Sequence, residues 1–166
     1  MDELAKVIDW FLKQGGKYGN NGFLDEFDGN DSWETIKHTD LHEIHYRRLQ
    51  IFVANLPDFG DNTKIELQYL LDHSRYDDDA DDAINKAIKN LEPMLPEGAK
   101  FEISSSVGTN IFLIRVLSHK DLEPENLDQI LTTLTDFAEV AMKRVSILYT
   151  APRLEKVLKH YGLAPR

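Results

Sequence analysis

The sequence predicts an α+β fold, a small antiparallel sheet of about five strands flanked by helices, in the order α-β-β-β-α-β-β-α with a short C-terminal helix. Three observations predict it. Ile65, Leu67, Tyr69 and Leu71 alternate with Lys64, Glu66 and Gln68, the pattern of a strand with one buried face. The run "IFLIRV" from Ile111 is apolar on both faces, which suits a central strand. From Pro124 onward, Leu127, Ile130, Leu131, Leu134, Phe137, Ala138, Ala141, Val145 and Leu148 recur as a wide stripe at helical spacing.

The elements follow in order. Leu4, Ile8, Phe11 and Leu12 predict a first helix, with Trp10 extending its apolar face and Gly15 and Gly16 as its stop. The run 16–32, "GKYGNNGFLDEFDGNDS", is dense in Gly, Asn and Asp and reads as turns, with room for a short strand at 23–27. "WETIKHT", 33–39, reads as a strand. Leu49, Ile51 and Val53 alternate with Gln50 and Ala54, and "IFV" is a β-branched and aromatic run, so 46–54 pairs as a hairpin with 65–71 across "PDFGDN". A helix over 40–55 is the alternative, because Leu41, Ile44, Phe52 and Leu56 also form a stripe.

Next, "YDDDADDAINKAIKNLEPMLPEG" predicts an amphipathic helix with Ile84, Ala87, Ile88 and Leu91 on one face, ended by Pro93 or Pro96. Phe101 and Ile103 mark a strand joined to the "IFLIRV" strand by a turn containing Gly108 and Asn110. The long helix starts near Pro124, a residue favoured in the first turn. After "TAPR" a separate short helix runs over 153–160 and stops at Gly162. The organisation is one domain, 1–150, with a helical appendage over 151–166.

Composition narrows the function. At 42% hydrophobic and 29% charged residues the chain is an ordinary folding sequence. It has no cysteine, which removes disulfides, thiolate nucleophiles and cysteine-ligated zinc. The start "MDELAKVIDWFLK" is acidic and amphipathic, unlike a signal peptide or a membrane span, so a cytoplasmic protein without membrane association is expected. A formal net charge of −10 disfavours nucleic acid and anionic lipid and favours a basic polypeptide partner.

The segment "DDAINKAIKNLEPMLPEGAKFEI", followed by "IFLIRVLSHKDLEPENLDQILTTLTDFAEVA", resembles the fold shared by type III secretion chaperones and YbjN-like bacterial proteins. In those families a strand gives way to a short polar connection and a helix of the type "L..E.L...L..F...A", here Leu122, Glu125, Leu127, Leu131 or Leu134, Phe137 and Ala138 or Ala141. The similarity covers about residues 65–145 and consists of element order and apolar spacing. The Gly/Asn/Asp-rich run after the first helix and the extra C-terminal helix depart from it. The resemblance implies a non-enzymatic protein-binding module, commonly a homodimer and commonly acidic, that docks a segment of another protein on sheet or helix surfaces. Leu49, Ile51 and Val53 of the hairpin and Leu154, Leu158 and Tyr161 of the last helix are the candidate contacts.

The competing chemistry lies in "IKHTDLHEIHYRRLQIFV". His38, His42 and His45 stand at i, i+4 and i+7, which on a helix shares one face and suits a metal ion. With Asp40 or Glu43 as base or additional ligand, a metal-dependent hydrolase is the alternative function. On a strand His45 lies opposite His42, and the stretch becomes a polar lead-in to the hairpin. Other motifs carry less. The aspartates of "DDDADD" suit a helix N-terminus, where carboxylates meet free backbone N–H groups. "DEFDGNDSWE" lacks the order of a calcium loop, and Ser104 to Ser106 lack a nucleophile elbow. Arg47 and Arg48 point to opposite faces of a strand and form no simple clamp. No cofactor fingerprint occurs, and no cofactor is expected.

Overall fold

A computed structural model describes residues 3–19, 41–56, 64–74, 78–104 and 109–162. Helix α1 (Glu3–Lys13) leads into strands β1 (Lys17–Gly19), β2 (Leu41–Tyr46), β3 (Leu49–Leu56) and β4 (Lys64–Ser74). Helix α2 (Asp78–Leu91) and a 3₁₀ turn (Glu92–Met94) precede β5 (Ala99–Ser104) and β6 (Thr109–Leu117). A second 3₁₀ turn (His119–Leu122) opens onto α3 (Pro124–His160). The α+β class stands, with a sheet of six antiparallel strands in the order β1-β2-β3-β4-β6-β5.

Four expectations change. The sheet gains β1, within a run that reads as turns, and β2, within a run that reads as a lead-in. The expected pairing of 46–54 with 65–71 is the β3–β4 ladder, and the alternative helix over 40–55 gives way to the β2–β3 hairpin, because paired strands bury Ile44, Leu49, Ile51 and Val53 on one sheet face, whereas a helix would spread them around its axis. The separate helix over 153–160 is the end of α3, which runs without interruption from Pro124 to His160. Pro152 lacks an N–H but does not stop it. Asn110 lies inside β6 and not in the turn. The strands expected at 23–27 and 33–39 lie outside the described residues.

The sheet has a covered face. Antiparallel register sets Ile44 opposite Ile51, Val53 opposite Leu67 and Tyr69 opposite Leu113, so these side chains share that face, and all are buried. α1 brings Leu4, Val7, Ile8 and Phe11 to it, α2 brings Ile84, Ala87, Ile88 and Leu91, and α3 brings Leu131, Leu134, Ala138 and Ala141. Trp10, Phe11, Tyr46 and Tyr69 meet edge to face where α1 crosses the strands.

Polar contacts fix the helices in register. The Tyr69 hydroxyl is fully buried and bonds Thr135 Oγ1 of α3 at 3.1 Å, a pairing whose loss leaves a buried donor unsatisfied at about 1–3 kcal/mol. Burial raises the Tyr69 pKa well above the usual phenol value. Trp10 Nε1 donates to Asp128 Oδ1 at 3.0 Å, and His119 pairs with Glu3, so both ends of α1 are held to the segment that begins α3.

Candidate functional site

The histidine stretch is a strand, and that decides its geometry. His42 pairs across the ladder with Val53 and faces the core, 1% exposed, with its Nδ1 paired to the Tyr18 hydroxyl of β1. Burial pushes the Tyr18 pKa up to about 12. His45 pairs with Gln50, on the opposite face of the sheet. The structure therefore separates His42 from His45, and His38 lies outside the described residues. Among the described residues no three His, Cys, Asp or Glu side chains are grouped to hold a metal ion.

On the second face β2 builds a compact polar cluster. Glu43 is 3% exposed, and its Oε1 accepts from His45 Nε2 at 2.7 Å and from Gln50 Nε2 at 2.6 Å. A buried carboxylate needs such donors, since without them its desolvation is uncompensated. Gly19 makes the approach possible: a Cβ there would fall 2.5 Å from His45 Cδ2 and 2.6 Å from Nε2. The His45 ring thus lies against the β1 backbone.

The hairpin turn consists of two arginines. Arg47 and Arg48 both take positive φ, 48° and 63°, which the two-residue turn between Tyr46 and Leu49 requires. Arg47 Nη1 donates to Asp136 Oδ1 of α3 at 2.7 Å and its guanidinium lies 5.1 Å from the Tyr46 ring centroid. That bond also raises the Arg47 pKa. The two residues form the turn itself and do not lie on opposite faces of a strand as expected, and Arg47 anchors that turn to α3.

The expected docking residues divide. Leu49, Ile51 and Val53 are correctly a strand but are 1%, 0% and 0% exposed, so they belong to the core and are removed from any surface of this chain. Leu158 is half-buried and Tyr161 is 71% exposed, while the Leu154 side chain lies outside what the structure describes.

The sheet edge that sequence reading overlooked is β5. Among the described residues no strand pairs with its outer side. Lys100 and Glu102 are exposed on one face, and on the other Phe101 packs against Phe137 of α3 with ring centroids 6.2 Å apart. Beyond that contact on each element lie Ile103 and Val140, 43% and 46% exposed. The alternation of "AKFEIS" was visible in the sequence; its edge position, a product of strand order, was not. Among the described residues no helix is long and apolar enough to cross a membrane. No family model, curated protein or solved structure matches the chain.

Proposed function

We propose that the chain is a non-enzymatic protein-binding module that takes an extended, net-basic segment of another polypeptide as an added strand along β5. The observation that carries this reading is the β5 edge: a six-residue strand paired with β6 on one side and, among the described residues, with no strand on its outer side, where Ile103 is exposed. An unpaired ladder edge offers a row of N–H and C=O groups to an incoming strand, and alternate side chains supply specificity. The net charge of −10 favours encounter with a basic segment. The succession of strands, α2, two strands and α3 also supports it, through the likeness to type III secretion chaperones and YbjN-like proteins, although fold alone is weak support for function.

The same edge favours a second occupant. An antiparallel copy of β5 centred on Phe101 sets Lys100 opposite Glu102 and Ala99 opposite Ile103, so the strand is complementary to itself. A homodimer formed there would block the edge.

Light scattering after size exclusion, with affinity capture from lysate at low and physiological salt, separates these outcomes. The module reading predicts a bound polypeptide with a basic extended segment, lost in Ile103→Asp and retained in Glu43→Gln at the opposite end of the sheet. A folded chain that captures nothing at either salt, or an Ile103→Asp variant that captures as well as the wild type, overturns it. A dimer that Lys100→Glu dissociates and Lys100→Glu/Glu102→Lys restores assigns the edge to a second copy.

A further inference from the structure

Arg115 is an unusual residue for its place. It stands on the covered face of β6, opposite Leu67 on one side and Ala99 on the other, where its neighbours in the strand are Leu113 and Leu117. Its side chain is only 17% exposed, and its Nε is buried without a hydrogen-bond partner. Asp121 forms an ion pair with the other end of the guanidinium and leaves Nε unfilled. Asp121 Oδ2 is 3.6 Å from Nη2, beyond hydrogen-bond distance, and that oxygen already accepts from Ser118 N at 2.9 Å and from Ser118 Oγ at 3.0 Å.

The chain makes room for this guanidinium. Gly98 has a φ of +75°, and a Cβ there would fall 1.9 Å from Arg115 Nη1. Any other residue at 98 would be strained and would push the guanidinium away. Beside it is a cleft of about 400 Å³ lined by Arg115, Glu97 and Asp121 and by Asn126, Gln129 and Thr133 of the first turns of α3. A largely desolvated guanidinium beside a cleft lined by amide and hydroxyl groups is suited to a planar anion that takes two parallel N–H bonds. The two acidic neighbours weigh against a multiply charged phosphate and favour a single carboxylate.

We propose that this cleft binds a small organic molecule through its carboxylate, held by the guanidinium of Arg115, with Asn126, Gln129 and Thr133 contacting the rest of the ligand. The site is separate from the β5 edge and stands whether or not that edge docks a partner.

The test is a nuclear magnetic resonance titration of the full chain at fixed pH and ionic strength, following the Arg115 Nε–H and Gly98 amide signals. The probes are propionate, glycine and inorganic phosphate. Propionate and glycine should move both signals saturably, and a glycine preference over propionate would place the ligand's ammonium near Glu97 and Asp121. Phosphate should bind at least about tenfold more weakly. Arg115→Gln should weaken carboxylate binding by about tenfold or more, and Gln129→Ala, at an exposed position, by a few-fold. Should Arg115→Gln fail to fold, the wild-type Nε–H signal decides alone. An Nε–H signal unmoved by either carboxylate, a phosphate response as strong as theirs, or a folded Arg115→Gln variant that binds like the wild type overturns the proposal.

Discussion

The two edges of this sheet are built in opposite ways. β1 is a three-residue strand tied to β2, with the His45 ring lying over Gly19 and the Tyr18 hydroxyl held to buried His42. β5 is twice as long, with exposed Lys100, Glu102 and Ile103 and, among the described residues, no polar cluster closing it. Short or covered edges resist strand addition, and longer uncovered ones invite it. The contrast teaches where an incoming chain can pair, and it locates His42 and His45 at the end of the sheet with the shorter edge strand.

Four substitutions break or sharpen that contrast. The largest effect is expected from Leu113→Ala in β6, fully buried between β4 and β5, at about 2–5 kcal/mol of stability by denaturant unfolding. It should also speed amide exchange in β5, because the open edge rests on that strand. Glu43→Ala should cost about 1–3 kcal/mol, since it strips the acceptor from Gln50 and His45, and should leave β5 exchange unchanged. An equal response at both edges would show that they are not independent.

Arg48→Gly should stabilise by up to about 1 kcal/mol, because glycine takes φ of +63° without the penalty an arginine carries. A loss of stability would show that the Arg48 side chain outweighs its backbone strain. Tyr18→Phe is read in the pH dependence of stability. The folded phenol titrates near 12 and the unfolded one near 10.0, so the unfolded chain releases its proton first. Stability conferred by this shift is fully present below pH 10 and falls as pH rises toward 12. Tyr69, fully buried, acts in the same direction, so Tyr18→Phe should flatten only part of that fall in pH-dependent unfolding.

Legibility followed the physics of each element. β4, α2 and α3 were readable because Ile65, Leu67 and Tyr69, Ile84 and Ile88, and Leu131 and Leu134 recur at the periods of their structures. β1 was hidden because Gly16 and Gly19 flank its one inward aromatic, Tyr18, and glycine signals a turn before it signals close packing. β2 was hidden because a histidine, His42, occupies a core position and a glutamate, Glu43, is buried on the other face. The turn after it carries two arginines where asparagine and glycine are expected.

The site was less legible than the fold. The pairing of β6 with β4 on one side and β5 on the other is long-range, so no local pattern announces that β5 is an edge. Periodicity likewise says that Leu49, Ile51 and Val53 share a face without saying that helices cover it. Arg115 reads as one charge in an apolar strand; the cleft beside it comes from α3, which packs there only in the fold.

Amide hydrogen exchange across the whole sheet, free and in complex with the polypeptide recovered by capture, tests the central claim most directly. Strand addition predicts exchange slowed by about tenfold or more in alternate amides of 99–104, with 17–19 unchanged. Protection that appears in 17–19 or on the helices while 99–104 exchange as in the free chain would contradict it.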